Sequence, residues 1–374
     1  MEHIPIEIPR DNPGGGGPTT ALCFDIGGSK YNVGLVDREG TVLDHEIGLW
    51  SAVSQEGVLA DLLACGDRVL ERNPDAVPAV IGATIPGLAD PERGMWVEAS
   101  FSGIRDFPIA QRLTERYRLP AYVDNDGQAC ALAERMFGCC QGVDDFLYLT
   151  VSNGVGGACF LNGNLYGGSS GGAGEIGHCV VVPQGRLCGC GSRGCLERYA
   201  AGPGVSQNYL ELGGAPLPDG SAPSAKEIAR RARAGEEKAL ETFRLEGQYL
   251  ARAVAMAVNI LNPAKVVLGG GISLAYDLFG PELEAEVGRR IYRRANPNLT
   301  ICPTALGYDG GLRGTAAVAL RASGKERQQY ERIFRPVPEG AVRGGGRHRP
   351  GGVPEGCGSD CPGLPGGSAD LCDG

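Results

Sequence analysis

The stretch 173–197 combines side chains that bind metal ions with side chains that bind hydroxyl groups. Its candidate metal ligands are three of its thiols and one imidazole: His178, Cys188, Cys190 and Cys195. Such a set completes the tetrahedral shell of a structural Zn²⁺ ion and leaves no open position for a catalytic water. Glu175 and Glu197 flank these ligands. We therefore predict a zinc-bound loop over residues 173–197 that holds the two carboxylates in position.

The thiol spacing is also compatible with two roles that need no metal. The cysteines can be small buried residues, or half of a disulfide set if the chain is secreted. Glycines stand between the thiols, where a chain that wraps around an ion needs positive φ and close backbone approach. Of the four histidines, His178 is the one placed near thiols. His3 and His348 lie in the terminal stretches, and His45 sits between two acidic residues. Both observations favour the metal.

A second group of candidate residues lies at the end of a short apolar strand, where the sequence reads Asp124-Asn125-Asp126. Ligands of open α/β sheets bind at the carboxyl ends of strands. The Asp126 carboxylate can accept a hydroxyl proton there, and the Asn125 amide can hydrogen-bond a neighbouring hydroxyl group. Helix capping accounts for the same residues, because Asn and Asp are both favoured at the N-cap. The motif therefore predicts a general base, a helix cap, or both.

Two glycine-rich turns are candidates for phosphate binding, because glycines let backbone N–H groups converge on an anion. One turn follows Asp25 and the other follows Ser152. Their candidate nucleotide-binding residues are Gly27, Gly28, Ser29, Lys30, Asn153, Gly154, Gly156 and Gly157. Each turn alone fits a plain tight hairpin equally well. As a facing pair they would clamp a triphosphate, and Asp25 would hold Mg²⁺ through water.

A third glycine cluster, 269–271, follows the apolar strand 265–268. A purine can lie flat against such a bare backbone, so we expect Gly270 and Gly271 to contact the nucleotide. A simple strand-to-helix turn accounts for these glycines nearly as well. We also expect Gly87, which follows the apolar strand 79–85, to contact the substrate.

The elements that must position these residues alternate between strands and helices. The other predicted strands are 21–24, 31–36, 121–123, 146–151 and 158–161. The predicted helices are 55–71, 109–116 and 126–136. Strands 21–24 and 31–36 enclose the first glycine turn, and strands 146–151 and 158–161 enclose the second. Two hairpins of one design predict a duplicated α/β domain with a ligand cleft between two lobes.

The predicted domain boundaries follow from the same pattern. We expect a disordered leader over residues 1–18 and a disordered tail over 336–374, because both stretches are rich in glycine and proline. The N-terminal α/β lobe is placed at 19–124 and the C-terminal α/β lobe at 125–309. A final helix at 310–325 is expected to pack back toward the first lobe.

The composition of the chain disfavours several classes of protein. Its 374 residues, 42% hydrophobic and 21% charged, fit a soluble globular protein with two domains. A formal charge of −9 disfavours a broad nucleic-acid surface. No apolar run approaches the ~20 residues that span a membrane, and the N-terminus does not have the pattern of a signal peptide. We therefore expect a cytoplasmic protein without disulfides, no membrane contact and no nucleic-acid partner.

The chain has fourteen cysteines, and the zinc loop uses three of them. Six of the remaining cysteines fall in apolar patterns: Cys23, Cys65, Cys130, Cys159, Cys179 and Cys302. Thiols in such patterns behave as small hydrophobic side chains. We predict that role for all six.

Taken together, the motifs resemble the ROK family of bacterial sugar kinases and sugar-responsive repressors, within the actin-like ATPase superfamily. The resemblance runs from about Ala21 to Leu320. The segments that carry it are 25–30, 125–126, 152–157, 174–178, 188–197, 261–263 and 269–271. It implies an α/β fold of two actin-like, ribonuclease H-like lobes, with a ligand cleft between them and a zinc-bound loop. It also implies a homodimer.

The resemblance also implies roles for single residues. Asp126 would be the general base. Sugar hydroxyl groups would be bound by Asn125, Glu175, His178 and Glu197. The zinc ligands would be His178, Cys188, Cys190 and Cys195, and the zinc would be structural. The first two glycine turns would embrace the phosphates of ATP, which binds with Mg²⁺.

The expected function is ATP-dependent phosphorylation of a hexose, with glucose as the first candidate substrate and an N-acetylhexosamine as the alternative. The competing hypothesis is a sugar-responsive repressor. Repressors of the family carry a winged helix ahead of this core, whereas only 24 residues precede Asp25. Three segments depart from the family pattern, the first at Asp124, where Glu commonly precedes Asn-Asp. The second phosphate turn reads Ser152-Asn153-Gly154 instead of Gly-Thr-Gly, and 98–103 stands where many members have an Asn-containing sugar loop.

Overall fold

The computed structural model describes residues 20–52, 54–99 and 103–323. The predicted leader 1–18 and the predicted tail 336–374 lie outside the described residues. Residues 100–102, within the segment 98–103, also lie outside them. Among the helices of the described ranges, none is both long enough and apolar enough to cross a membrane.

The first half of the described chain builds a five-stranded mixed sheet. In chain order its elements are β1 (Thr20–Ile26), β2 (Lys30–Asp37), β3 (Val42–Leu49), α1 (Gln55–Arg72), β4 (Val80–Ile85), β5 (Leu88–Asp90), β6 (Met95–Ala99), β7 (Ile104–Phe107), α2 (Ile109–Tyr117) and β8 (Ala121–Asn125). The strand order is β3-β2-β1-β4-β8, and β5, β6 and β7 form a separate small sheet. Strands β1, β2 and β3 pair antiparallel, whereas β1, β4 and β8 run parallel.

The sequences of the central strands explain their position in this sheet. Nearly every residue of β1 and β4 is buried, as expected for strands that are covered on both faces. Helix α1 begins at the N-cap Ser54, whose side chain accepts a hydrogen bond from the Gly57 amide. Its apolar face, with Val58, Leu62 and Val69, packs into the same core as β1 and β4.

The second half of the described chain builds another five-stranded sheet. Its elements are α3 (Asp126–Met136), β9 (Phe146–Val151), β10 (Val155–Leu161), β11 (Asn164–Tyr166), α4 (Glu197–Ala200), α5 (Gly202–Glu211), α6 (Ala225–Arg233), α7 (Glu237–Leu261), β12 (Lys265–Gly269), α8 (Tyr276–Arg290), β13 (Thr300–Pro303) and α9 (Gly310–Ser323). Short 3₁₀ turns occupy Ile176–His178, Gly271–Ala275 and Gly307–Asp309. The strand order is β11-β10-β9-β12-β13.

The two sheets have the same topology. Strands β9, β10 and β11 pair antiparallel, and β9, β12 and β13 run parallel, which repeats the first sheet position by position. The two glycine turns therefore join equivalent strand pairs, β1–β2 and β9–β10. This repetition confirms the predicted fold class of two related α/β lobes.

Two helices cross between the sheets. Helix α3 starts directly after β8 of the first sheet and packs on β9 and β10 of the second. Helix α9 follows the second sheet in the chain but packs on β1, β4 and β8 of the first, through Leu312, Ala316 and Ala319. The two helices also pack on each other. The lobe boundaries after residues 124 and 309 stay predictions.

Candidate active site

The Asp25 carboxylate lies at the end of β1, between β4 and the first turn of α9. Thr84 of β4 donates a hydrogen bond to Asp25 Oδ1 over 3.1 Å, and the Thr84 hydroxyl lies 2.9 Å from that of Thr315 in α9. The backbone of Gly311 lies so close to the carboxylate that a Cβ atom there would overlap it. Burial raises the pKa of Asp25, while the Thr84 hydrogen bond and the Lys30 charge lower it. The N-terminus of α9 adds a favourable dipole for this anion.

The first glycine turn has a tight backbone and an exposed tip. The Gly27 amide donates to the Lys30 carbonyl over 2.9 Å, and the Trp50 indole donates to the Gly27 carbonyl over 3.2 Å. Gly28 and Ser29 are exposed. The Lys30 ammonium contacts the Tyr308 hydroxyl and lies 4.6 Å from the centre of that ring. This turn is thus held from two sides and presents its tip to the solvent.

Asn125 is the N-cap of α3, and Asp126 is the first residue of that helix. The Asn125 Oδ1 atom accepts from the Gly127 amide over 2.9 Å, and its Nδ2 atom donates to the Gly87 carbonyl over 3.0 Å. The predicted capping role is therefore correct for Asn125. Its hydrogen bond to Gly87 also brings together two of the residues that the sequence assigns to the sugar.

Asp126 has the electrostatic properties of a general base. Burial, together with the negative charges of Asp25 and Glu175, raises the pKa of its carboxyl group to about 6, against the hydrogen bond from the Gly127 amide. The Asp126 carboxylate thus interacts electrostatically with two other carboxylates. A base with a pKa near the working pH is well matched to proton transfer. The neighbouring Asp124 also has a pKa of about 6 because it is buried, but its charge faces Arg321.

The structure brings together the four predicted zinc ligands. Their donor atoms all lie within 4.8 Å of one another. Cys190 Sγ is 3.7 Å from Cys195 Sγ, and Cys188 Sγ is 3.7 Å from His178 Nδ1. In a tetrahedral site with metal–ligand bonds of about 2.0–2.3 Å, neighbouring ligand atoms are separated by distances close to these two values of 3.7 Å. Within the described residues this is the group of side chains that could hold a metal ion, and its donor set fits zinc.

The loop that carries these ligands is ordered by its own backbone hydrogen bonds. The Cys188 amide donates to the Ser192 carbonyl over 2.8 Å, and the Gly194 amide donates to the Arg186 carbonyl over 2.9 Å. Arg186 then anchors the loop to the lobe, because it stacks on the Tyr199 ring at 4.5 Å and donates to the Arg198 carbonyl. The four predicted zinc ligands are thus held in place by local contacts within this loop.

His178 and Glu197 connect the zinc ligands to the rest of the cleft. The Nε2 atom of His178 lies 3.9 Å from Glu175 Oε2, on the opposite side of the ring from Cys188. Glu197 places one carboxylate oxygen 3.9 Å from Cys188 Sγ and accepts from the Val155 amide with the other over 3.3 Å. Metal ligands are commonly oriented by carboxylates in this way. Glu197 therefore links the zinc loop to the second glycine turn.

The second and third glycine clusters lie side by side. In the second turn the Ser152 amide donates to the Gly154 carbonyl over 2.9 Å, and Asn153 is exposed between them. Gly270 has a φ of +80°, and a Cβ atom there would overlap the backbone of Val151. Only glycine combines this φ with such close approach at low energetic cost. Gly271 also lies next to the Ser152 side chain.

Two of the predicted nucleotide-binding glycines lie away from the tip of their turn. Gly156 and Gly157 are inside β10, paired with Thr150 and Leu149 of β9. A Cβ atom at Gly157 would lie 2.8 Å from the carbonyl oxygen of Gly174. Gly157 therefore allows the start of the zinc loop to pack directly on β10, and its assignment to the nucleotide stays a prediction.

Sequence reasoning missed the residues that surround Asp25 and Lys30. Thr84, Gly311 and Thr315 contact Asp25 or its hydrogen-bonding partner, and Tyr308 contacts Lys30. A weak signal was present, because Thr84 and Thr315 are polar residues inside otherwise apolar segments. Their partners, however, lie far away in the chain.

The two sheets of one topology, with α3 and α9 crossing between them, define a class of protein, the actin-like ATPases. The crystal structure of a ROK family glucokinase from Streptomyces griseus in complex with glucose and AMPPNP matches with a TM-score of 0.72 at 30% identity, over 81% of this chain and 99% of that chain. A ROK hexokinase from Thermus thermophilus matches with a TM-score of 0.67 at 32% identity, over 80% of this chain and 97% of that chain. Residues 21–322 match the model of the ROK family, and the chain belongs to that family.

Relatives with a described role are of two kinds. Glucokinase from Thermotoga maritima is 31% identical over 311 residues, which cover 79% of this chain and 96% of the relative. The DNA-binding transcriptional dual regulator NagC from Escherichia coli K12 is 31% identical over 248 residues, which cover 65% of this chain. The chain spans 60% of the length of NagC. Family membership therefore leaves both an enzyme and a regulator open.

Proposed function

We propose that this protein is a sugar kinase that transfers the terminal phosphoryl group of ATP to a hexose hydroxyl group. The observation that carries the proposal is Asp126 at the start of α3, a carboxylate whose pKa burial and the charges of Asp25 and Glu175 raise to about 6. Asp126 would take the hydroxyl proton as the oxygen attacks phosphorus. The likeness to the Thermotoga glucokinase over nearly the whole length of that protein supports this proposal.

Nucleotide binding would use the two equivalent turns. The exposed tip of the first turn, Gly28 and Ser29, and the second turn at Asn153 and Gly154 would donate amides to the phosphates. Gly270 and Gly271 lie next to the second turn, so the base of the nucleotide would lie near the phosphates that this turn holds. The carboxylate of Asp25 suits Mg²⁺, which prefers oxygen ligands and retains part of its water shell. When bound, the ion would neutralise charge on the phosphates.

Sugar binding would use the residues around the zinc loop. Glu175 and the Asn125 side chain would accept and donate hydrogen bonds to hydroxyl groups of the sugar, and the zinc would keep His178 and Glu175 in register. Glu197 would contribute through its position between Cys188 and the second turn. The four protein ligands fill a tetrahedral shell, so we assign zinc a structural role.

Glucose is the first candidate substrate, and an N-acetylhexosamine is the second. A coupled assay of ADP release should be run with glucose, mannose, fructose, allose, N-acetylglucosamine and N-acetylmannosamine. We expect one hexose to give the highest kcat/KM, because unpaired acceptors penalise the wrong epimer. Absence of ADP release with every sugar, from protein that contains zinc, would contradict the kinase assignment.

The likeness to NagC supports a second candidate, a sugar-responsive regulator. The two functions differ in a single measurement. A regulator of this type would show sugar binding in calorimetry but no release of ADP. The kinase would bind the sugar and also consume ATP.

A further inference from the structure

Three thiols lie together outside the zinc loop. Cys139 and Cys140 follow α3 in the connection to β9, and Cys302 lies on β13 at the edge of the second sheet. The Cys139 and Cys302 sulfur atoms are 3.8 Å apart although the residues are 163 positions apart in the sequence. Cys302 therefore has a thiol neighbour that its apolar sequence pattern does not predict.

The surroundings of Cys139 hold it in place. Its amide donates to Glu134 Oε2 over 2.8 Å, and its carbonyl accepts from Lys265 Nζ over 2.5 Å. Glu134 is fixed in turn by the Thr304 hydroxyl. Cys139 and Cys302 are both half-buried, so a small reagent can reach them, whereas Cys140 is buried.

The same surroundings favour the thiolate form of Cys139. The neighbouring thiols of Cys140 and Cys302 lower the pKa of Cys139 by hydrogen bonding, and the Lys265 charge lowers it further. The pKa values of Cys140 and Cys302 are both raised. Since the thiolate is the nucleophile in thiol–disulfide exchange, these contacts favour first attack by the Cys139 sulfur.

Cys302 is a better disulfide partner for Cys139 than the adjacent Cys140. Residues next to each other in a chain have Cα atoms about 3.8 Å apart. Unstrained disulfides need a Cα separation of roughly 4.4–6.8 Å, so a bond between adjacent cysteines is strained. No such restriction applies to Cys302, which comes from another strand.

We propose that Cys139 and Cys302 form a reversible thiol–disulfide modification site. With a low-molecular-weight disulfide as oxidant, the Cys139 thiolate attacks one sulfur and releases one small thiolate. Cys302 sulfur then attacks Cys139 sulfur in this mixed disulfide and expels the second small thiolate, which takes up the Cys302 proton. Starting from the Cys139 thiolate, the protein loses two electrons and one proton, and the oxidant becomes one small thiolate and one small thiol. The product ties the end of α3 to β13.

The test uses the full chain with zinc bound and oxidised glutathione as the probe. After trapping of free thiols and digestion without reductant, mass spectrometry should show a peptide pair linked through Cys139 and Cys302, which reductant separates. The oxidised protein should also unfold at a temperature several degrees higher, because the crosslink closes a long loop. The proposal does not depend on the kinase activity.

Matched variants identify the sulfur atoms. Cys302→Ser should abolish the crosslink, Cys140→Ser should retain it, and Cys159→Ser should retain it as a half-buried thiol elsewhere in the same lobe. In the wild-type protein, Cys139 should also react with iodoacetamide faster than Cys159. This second measurement does not require any variant to fold. Linkage of Cys139 to Cys140, oxidation confined to the zinc-loop thiols, or equal alkylation rates would overturn the proposal.

Discussion

Asp126 is the residue on which the proposed chemistry depends most directly. Its replacement by Asn keeps the size of the side chain and removes the base, so Asp126→Asn should lower kcat by about 10²–10⁴-fold. Sugar binding measured by calorimetry should persist. Asp124→Asn is the matched control, because Asp124 has the same raised pKa but faces Arg321. Near-normal turnover in Asp126→Asn would refute the base assignment.

The pKa of Asp126 also predicts the pH dependence of catalysis. Burial and the charges of Asp25 and Glu175 raise this pKa to about 6, and only the ionised form can accept a proton. The value of kcat/KM should therefore fall about tenfold per pH unit below pH 6. Tyr148 and Cys130 also interact with this carboxylate, but burial raises both of their pKa values, so they stay neutral in this range. The inflection should survive in Asp124→Asn.

The contribution of Asp126 to the free energy of unfolding should change with pH in the opposite direction to activity. Because the folded state raises the pKa of Asp126 above its usual 3.8, this group favours folding at low pH, and that contribution is lost as the pH rises through about 6. The Asn side chain of Asp126→Asn cannot ionise. This variant should therefore unfold at a temperature at least as high as that of the wild type near neutral pH. Thermal unfolding of both proteins thus shows whether lost activity reflects lost folding.

Among the structural elements, the zinc loop 173–197 has the clearest separable role. Cys190→Ser removes one ligand of the predicted tetrahedron and should release the zinc. Cys190 is the exposed cysteine of the set. The loop should then lose order, and kcat/KM for the sugar should fall because Glu175 is no longer held. Metal content and sugar kinetics are the measurements, with Cys159→Ser as the control. Full activity in verified metal-free protein would show that zinc is dispensable.

At the scale of the whole molecule, two lobes of one topology meet at the crossing helices α3 and α9. The proposed kinase uses residues from both lobes, such as Asp25 and Glu175, on the same substrates. We therefore expect the lobes to close when sugar and nucleotide bind together. Solution X-ray scattering of Asp126→Asn with sugar and ATP should show a smaller radius of gyration than without ligands. An unchanged scattering curve would count against closure.

The sequence by itself determined the parts that depend on neighbours in the chain. The zinc ligands, the two glycine turns and the Asn125 cap are local, because turns, caps and metal loops form from residues a few positions apart. The central strands were also predictable, since burial on both faces requires continuous apolar runs.

Only the tertiary structure decided which distant side chains meet. Thr84 and Gly311 enclose Asp25 because α9 returns to the first sheet, and Cys139 meets Cys302 because β13 joins the edge of the second. The close contact of Gly157 with the Gly174 backbone also follows from the tertiary structure. Such pairs depend on strand order and helix packing, and residue spacing in the chain carries no information about either.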